Sequence, residues 1–418
     1  MRILFLSDNF PPEVNAPASR TFEHCREWVK AGHTVTVITC APNFPKGELY
    51  PGYRNRLWQW ETLEGIRVLR VWSYLAPNQG TLKPTLDFMS YMVTSFLGGL
   101  VLRRPDVIVG TSPQIFTVCS AWMLSVFRWR PFVFELRDLW PESLVTVGAM
   151  NHPLLIGRLE RLELFLYRRA AVVVSLTEAF RRDLTRRGID PGKIERVTNG
   201  VDLARFFPRP RDRELAERFG LVDKFVVGYV GTHGRAHALE TVLAAADRLR
   251  QRPEGAGVCF LLLGHGARKE ALKAQAAAMG LDNVLFLDTV SKDEVPRYWS
   301  LLDVSVVHLK KTEKFDKVLP SKLFECMGMG IPVLQGVAGE SADLVQREAM
   351  GLVFESENAE ALGDAILRLA ADRDLYERLR ENCLAAAQRY ERGELARRML
   401  GILEGVVGGP GAGGRVRQ

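Results

Sequence analysis

The sequence is sparing with cysteine and histidine: six cysteines and seven histidines in 418 residues. The cysteines, at 25, 40, 119, 259, 326 and 383, are dispersed, mostly among apolar neighbours, and form no C-x-x-C pair. That pattern excludes a zinc ribbon, a thioredoxin-like redox site and a disulfide framework, and predicts buried free thiols of a reducing compartment. His233 and His237 have an i,i+4 spacing, but Gly-Arg-Ala between them supplies no glutamate base, so the metalloprotease arrangement is missing. No G-x-G-x-x-G follows a strand and no G-K-[ST] closes a Gly-rich loop, which counts against dinucleotide-dependent oxidoreductases and P-loop NTPases. A hydrophobic run able to span a bilayer is also lacking. The longest uncharged stretch, residues 107–127, is interrupted by Gly110-Thr-Ser-Pro-Gln114, and residues 88–102 are short of the roughly 20 needed. Residues 88–102 read as a core helix or as one lying on a membrane surface. Arg2 to Asp8 turns polar too soon for a secretory signal. No aromatic-interleaved basic motif suggests nucleic acid.

What is present is ordinary soluble-enzyme composition, 47% hydrophobic and 25% charged. The length predicts two domains on the usual scale of about 100 to 200 residues each. The net charge of +7 is uneven: residues 1–210 carry 27 Lys and Arg against 19 Asp and Glu, residues 211–418 carry 29 against 30.

In the first half, Ile3–Leu6 reads as a buried strand, followed by a loop, a helix capped near Ser19 and a strand over 33–39. This is a βαβ unit whose first loop lies at the ligand-binding carboxyl edge. Strand-like runs recur at 66–71, 107–109, 132–134, 172–176 and 194–197, which predicts a seven-stranded, mostly parallel sheet. The aromatic connection from Pro42 to Trp60 reads as a flexible acceptor-side loop or as an ordinary folded excursion. Phe134-Glu-Leu-Arg-Asp138 continues out of a strand and puts Glu135, Arg137 and Asp138 at the carboxyl edge. Asn199-Gly turn chemistry, before the Pro- and Arg-rich residues 206–213, marks the domain boundary.

The second half restarts the pattern at Phe225-Val-Val-Gly-Tyr-Val-Gly231. Gly231 and Gly234 would let backbone approach a phosphate, and Arg235 at the helix opening would pair with it. Asp288-Thr-Val290-Ser291 is a second carboxyl-edge loop, either touching base or ribose or simply opening a helix. Between apolar runs 304–308 and 331–334, a short helix opens near Ser321 with Lys322 and Glu325 on one face. Leu323, Phe324 and Met327 face the core, while Gly328 and Gly330 stop the helix. A cation beside unpaired helix N–H groups suits a diphosphate, and a carboxylate one turn on suits sugar hydroxyls. The loop 335–341, with Gly339 and Glu340, could hold the sugar with its amides or be a plain turn. Residues 362–403 are helical in pattern, and 405–418 are Gly-rich and expected to be disordered.

Taken in order, Asn9-Phe-Pro-Pro-Glu13, Ala16-Pro-Ala-Ser-Arg20, Lys30-Ala-Gly-His-Thr-Val-Thr-Val37, Pro42-Asn-Phe-Pro45 and Arg137-Asp-Leu-Trp-Pro-Glu142 open a series. Asn199-Gly-Val-Asp202, Gly231–Arg235 and Pro320-Ser-Lys-Leu-Phe-Glu325 complete it. Across nearly the whole chain it resembles the retaining glycosyltransferases of the large GT-B family 4, in particular the WbuB-like bacterial polysaccharide branch. The resemblance implies an α/β GT-B architecture, two Rossmann-like doubly wound parallel-sheet domains facing across a cleft. Residues 1–208 would bind acceptor, 209–385 the nucleotide-sugar, and 386–404 would return to the first domain ahead of the tail.

By the same resemblance Arg235 and Lys322 would neutralise the donor diphosphate, with no metal or cofactor, and Glu325 would bind ribose. Gly231, Gly234, Val290, Gly339 and Glu340 would complete the donor site. Asp138 would be catalytic, with Asn15, Arg20 and Arg137 on the acceptor side. Three positions depart from the family pattern. Lys317, beside Asp316, stands where the first of two glutamates is expected, Arg137 where a histidine is, and Asn15-Ala16-Pro17 where a Gly-Gly pair is.

The expected activity is transfer of a hexosyl or N-acetylhexosaminyl group from a nucleoside diphosphate, UDP, to a glycan or polyprenyl-diphosphate-linked acceptor in cell-surface polysaccharide synthesis. The expected location is cytoplasmic. Arg103, Arg104, Arg128 and Arg130 flank apolar segments, as a peripheral enzyme on an anionic membrane would use. A nucleotide-sugar 2-epimerase and a non-catalytic nucleotide-sugar sensor are the rival readings. The first would interconvert donor without acceptor; the second would bind donor without releasing nucleotide.

Overall fold

The computed structural model describes residues 1–13, 15–44, 46–77, 82–139, 152–313 and 315–409. Pro45, Lys314, the Trp140-Pro-Glu142 end of one motif and residues 410–418 of the expected tail lie outside them. The chain forms two compact units, Met1–Thr198 with Gly393–Gln418, and Asn199–Arg392.

The first unit holds β1 (Arg2–Leu6), β2 (Thr34–Cys40), β3 (Trp58–Leu63), β4 (Ile66–Val71), β5 (Val107–Thr111), β6 (Phe132–Leu136), β7 (Val172–Ser175) and β8 (Ile194–Arg196). They form one sheet in the order β3-β4-β2-β1-β5-β6-β7-β8. All neighbours are parallel except β3 and β4. The helices are α1 (Ala16–Lys30), α2 (Leu82–Leu100), α3 (Ile115–Arg128), α4 (Pro153–Arg169) and α5 (Glu178–Arg186). Every residue of β5 and β6 is buried, as a strand covered by helices on both faces requires. Alternate residues of β1 divide between the two cores, Leu4 and Leu6 on one face, Ile3 and Phe5 on the other.

The sheet has eight strands, not the expected seven, because the aromatic connection ends in a strand. Glu64 and Gly65, at φ 46° and 81°, fold Trp58–Leu63 back onto β4 as an antiparallel hairpin. This edge strand has no buried residue, so it left no apolar run to read.

The second unit holds β9 (Phe225–Val230), β10 (Val258–Leu263), β11 (Val284–Leu287), β12 (Val304–His308), β13 (Val333–Gly336) and β14 (Gly351–Val353), all parallel, in the order β11-β10-β9-β12-β13-β14. Its helices are α6 (Arg213–Arg218), α7 (Glu240–Arg250), α8 (Lys269–Ala278), α9 (Val295–Trp299), α10 (Lys322–Met329), α11 (Glu340–Arg347), α12 (Ala359–Ala371) and α13 (Arg373–Arg389). The last helix, α14 (Arg392–Gly408), belongs to the first unit, where Leu395, Met399, Leu400 and Leu403 join Phe5 and Trp28.

The units divide at Thr198/Asn199 and Arg392/Gly393, which shifts the expected boundaries at 208/209 and 385/386. Val201 and Phe206 are buried in the second unit's core, and Cys383, Ala386 and Ala387 of α13 pack into the same cluster. Residues 405–408, expected to be tail, are the last turn of α14.

In an open parallel sheet, ligands sit beyond the carboxyl ends of the strands where the winding reverses. The reversal falls between β1 and β5 in the first unit and between β9 and β12 in the second. The loops after β9 and β12 carry Gly231–Arg235 and Lys322.

Candidate functional site

In the second unit α10 opens at Lys322 and closes at Gly330, which takes the left-handed conformation at φ 67°. Gly328 does not stop the helix. It lies inside α10, where a Cβ would come within 2.6 Å of the Phe206 carbonyl oxygen, so it serves close packing of the segment that enters the unit. Ser321 at the N-cap makes no side-chain cap, and the N–H groups of Leu323 and Phe324 already donate to the carbonyls of Pro320 and Ser321 at 3.1 Å.

Lys322 is half-buried and makes no hydrogen bond or ion pair among the described residues. Its Nζ rests 3.7 Å from the centroid of the Tyr229 ring and 3.2 Å from where a Cβ on Gly231 would lie. Burial pushes its ammonium down to about 8, with Glu325 opposing. Gly231, at φ 143°, therefore gives both the backbone turn and the room for this cation.

Glu325 is half-buried too. Burial raises its carboxyl above the ordinary value, against the pull of Arg392 and Lys322. The Trp299 indole N–H also favours the ionised form but falls short of hydrogen-bond geometry.

Arg235 is exposed and makes no ion pair among the described residues. It does not open a long helix as expected. It starts a single 3₁₀ turn, Arg235–His237, with Gly234 as cap, and α7 begins only at Glu240 after Ala238 turns left-handed at φ 43°. His308 braces this turn: its Nδ1 lies 2.9 Å from the His237 carbonyl oxygen, and its Nε2 accepts from the Glu357 N–H at 2.9 Å. His233 is fully buried with both ring nitrogens unpartnered. Burial, then Lys269 and Lys322, push it down to about 4, and burial does the same to His237. These histidines are neutral at ordinary pH, so the positive charge beside Gly231 belongs to Lys322.

Val290 is half-buried and packs against the core. Gly339, at φ 67°, caps α11, and a Cβ there would strike the Asp316 carbonyl oxygen at 2.2 Å. Glu340 is buried as the first residue of α11. Lys317 and Asp316 sit half-buried on the 3₁₀ turn Phe315–Lys317 against that loop. The structure thus groups Gly231 with Lys322 and Glu325, and Gly339 with Asp316. Lys269 escaped sequence reading: its buried ammonium donates to the carbonyls of Gly264 and Leu287 and to Asp288, tying the ends of β10 and β11.

In the first unit, Asn15 caps α1 by accepting from the Ala18 N–H at 2.8 Å and donates to Asn9 at 2.7 Å. Arg20 is buried and committed to the sheet edge: it donates to Glu135 at 3.0 Å and to the carbonyls of Thr198 and Val197. Burial works against an ionised Glu135, but Arg20 and Arg137 outweigh it and hold the carboxyl below its ordinary value. Arg137 donates to the Pro17 carbonyl at 3.1 Å, and the Ser112 hydroxyl accepts from the N–H groups of Arg137 and Asp138. Asn15, Arg20 and Arg137 therefore converge between the start of α1 and the end of β6, with Asp138 beside them. Near them, and unread in the sequence, burial raises the carboxyls of Asp8, Glu13 and Asp87, the last two to about 7.

No group of three or more His, Cys, Asp or Glu placed to hold a metal occurs among the described residues. All six cysteines are free, and only Cys259 is not fully buried.

Family profiles match both halves: a glycosyl transferase 4-like domain over residues 15–200 and a glycosyl transferases group 1 domain over residues 224–372. A protein of Escherichia coli (strain K12) that bears the name colanic acid biosynthesis glycosyl transferase WcaI is 30% identical, over 79% of this chain and 82% of that one. A GDP-mannose-dependent alpha-mannosyltransferase of Mycobacterium tuberculosis (strain CDC 1551 / Oshkosh) is 26% identical over 90% of each chain. Among solved structures, Anabaena Alr3699/HepE in complex with UDP superposes with a TM-score of 0.70 at 17% identity, covering 97% of this chain and all of that one. The two parallel-sheet units are those of the GT-B fold. The chain belongs to this glycosyltransferase family, and it is a glycosyltransferase.

Proposed function

We propose that the protein is a retaining enzyme that moves a hexosyl or N-acetylhexosaminyl group from a nucleoside diphosphate to a glycan or lipid-linked acceptor in cell-surface polysaccharide synthesis. UDP is the first nucleotide to test, on the UDP complexes of HepE, and GDP the second, on the GDP-mannose-dependent relatives. The observation that carries the reading is Lys322, a half-buried cation that makes no hydrogen bond or ion pair among the described residues, at a helix N-terminus beside a glycine turn. A donor diphosphate is the anion such a place accepts.

As the sugar's C1–O bond to the β-phosphate breaks and a bond to the acceptor oxygen forms, negative charge grows on the leaving diphosphate, whose β-phosphate oxygen takes the proton that the acceptor hydroxyl loses. Lys322 and the positive end of the α10 dipole stabilise that charge, Arg235 adds a second cation from its exposed turn, and no metal is required. Glu325 takes the ribose hydroxyls, Val290 the base side, and Gly339 and Glu340 the sugar. Asp138 and Arg137 serve the acceptor, while Arg20 and Asn15 hold the loops that carry them.

The test is turnover of UDP- and GDP-sugars with glycan acceptors. Lys322→Ala is expected to lower transfer on the order of a hundred- to a thousandfold with an unchanged circular dichroism spectrum. Near-parent activity in that variant, or an inverted anomeric centre in the product, overturns the corresponding part of the proposal. Donor interconversion without acceptor would mark an epimerase instead.

A further inference from the structure

The first unit carries an apolar surface that its fold does not use. On α2, Leu86, Met89, Val93 and Leu97 recur at spacings of three and four and are all exposed, and Val101, just past the helix end, extends the stripe. Phe127 and Trp129, at the end of the neighbouring α3, are 65% and 63% exposed. Phe127 meets Phe96 of α2 edge to face, which joins the two patches.

The helix cannot turn this stripe inward. The Tyr91 hydroxyl, on its other side, donates to the carbonyls of Ser7 and Ile38, and Ser95 donates to Ser120 of α3. Gly99 lets the helix lie close to α3, where a Cβ would meet Leu124 at 2.4 Å. Buried hydrogen bonds thus fix which face is wet, and the wet face is the apolar one.

Cations border it. Arg104 donates to the Arg128 carbonyl, and Arg128 donates to the carbonyls of Leu100 and Leu102, a clasp that holds both guanidinium groups at the ends of α2 and α3. Arg103 is exposed beside them. From Phe88 to Phe134 the sequence has one acidic residue, Asp106, and that is paired with Arg2.

An apolar stripe with an aromatic rim, and arginines that pair with no acid among the described residues, is complementary to an anionic bilayer surface, where tails take the apolar groups and headgroups the guanidiniums. It is poorly suited to a second copy of this chain, since a two-fold interface would set the same arginines against each other.

We propose that the α2 stripe, with Val101, Phe127 and Trp129, seats the first unit on an anionic lipid surface. The helix runs from the carboxyl edge of the sheet, where β4 ends, to the amino edge, where β5 begins, so the seat extends to the loops proposed to receive acceptor. The surface rests on that reading only for its purpose, delivery of a lipid-linked acceptor.

The test is co-sedimentation of the full chain with phosphatidylcholine vesicles, with and without phosphatidylglycerol, in the absence of donor and acceptor. Binding is expected only to the anionic vesicles and is expected to weaken with salt. The double variant Val93→Gln/Leu97→Gln should reduce partitioning by about tenfold or more, and Arg103→Gln by about fivefold. Both substitutions are on exposed positions, and both variants should keep the parent's thermal midpoint and its transfer to a water-soluble acceptor. Failure of the parent to sediment with anionic vesicles at low salt overturns the proposal, as does equal sedimentation of parent and double variant. Self-association in light scattering that the double variant abolishes, without vesicle binding, overturns it in favour of a dimer face. Vesicle binding without transfer from UDP- or GDP-sugars would leave this surface standing and overturn the proposed donor and acceptor instead.

Discussion

Lys322 sets the pH response of the proposed donor site. Burial holds its ammonium at about 8, below the ordinary 10.5. Between those values the unfolded chain binds more protons than the native one, so this group's contribution to stability rises with pH across the window. A bound diphosphate reverses the preference, because it favours the charged amine. Donor affinity measured by calorimetry should therefore weaken as pH rises through about 8, while Lys322→Arg, whose guanidinium stays charged, should show a flat profile there. An unchanged slope in the arginine variant would move the titration to another group. The neutral histidines at 233 and 237 do not compete for this role, being already deprotonated well below that range. Lys322 and Glu325 were legible in the sequence because an i,i+3 pair behind a helix start needs only local spacing. Tyr229, on which Lys322 rests, lies far back in the chain, and no local pattern announces a contact between strands and helices. Arg20 was placed on the acceptor side by resemblance alone. What its motif could not show is that Glu135 and two backbone carbonyls, remote in sequence, hold all three of its guanidinium nitrogens.

Among the elements, periodicity revealed the parallel strands because burial on both faces writes continuous apolar runs. The elements it missed are those whose stabilisation comes from elsewhere: β3, an exposed edge closed by a tight turn, and β14, only three residues long. The turn carrying Arg235 was misread as a helix start because its conformation is imposed by its neighbours. Gly264 and Gly266 of the adjoining loop lie against Gly231 and His233, and a Cβ on Gly264 would sit 1.9 Å from the Gly231 carbonyl oxygen. At φ 149° an alanine there is strained as well. Gly264→Ala should therefore displace the Gly231–Arg235 loop and lower donor affinity by tenfold or more on the order-of-magnitude cost of such strain, about 1 to 3 kcal/mol. Gly257→Ala, in open space, is the control and should leave binding unchanged. Thermal shifts with and without nucleotide-sugar separate the two effects: a variant that loses stability but keeps its full ligand-induced shift would show that the loop had not moved.

For the molecule as a whole, the chain enters and leaves the second unit at one place. The Val201 N–H donates to the Tyr390 carbonyl and the Arg392 N–H to the Val201 carbonyl, so the two crossings are zipped together within that unit. The sequence announced an Asn-Gly turn near residue 200 but not this pairing, which brings together residues nearly two hundred apart. Hence the boundary was placed at the Pro-rich stretch that follows. The consequence is an asymmetry in how each unit could stand alone. Residues 199–392 are continuous and include Gly231, Arg235, Lys322, Glu325 and Arg392. Residues 1–198 lack α14, whose Leu395, Met399, Leu400 and Leu403 complete the core around Phe5 and Trp28, and whose Ala396 carbonyl accepts from the Trp28 indole N–H at 2.8 Å. Losing four large buried apolar side chains, at roughly 1.5 to 3 kcal/mol each, removes about as much free energy as a domain's whole margin of stability. Fragment 199–392 should therefore fold cooperatively in urea and show a nucleotide-sugar-induced thermal shift, whereas fragment 1–198 should not fold. Joining residues 393–409 to the end of fragment 1–198 through a flexible linker should restore a cooperative transition. A fully cooperative 1–198 fragment would show instead that α14 is dispensable to the first unit.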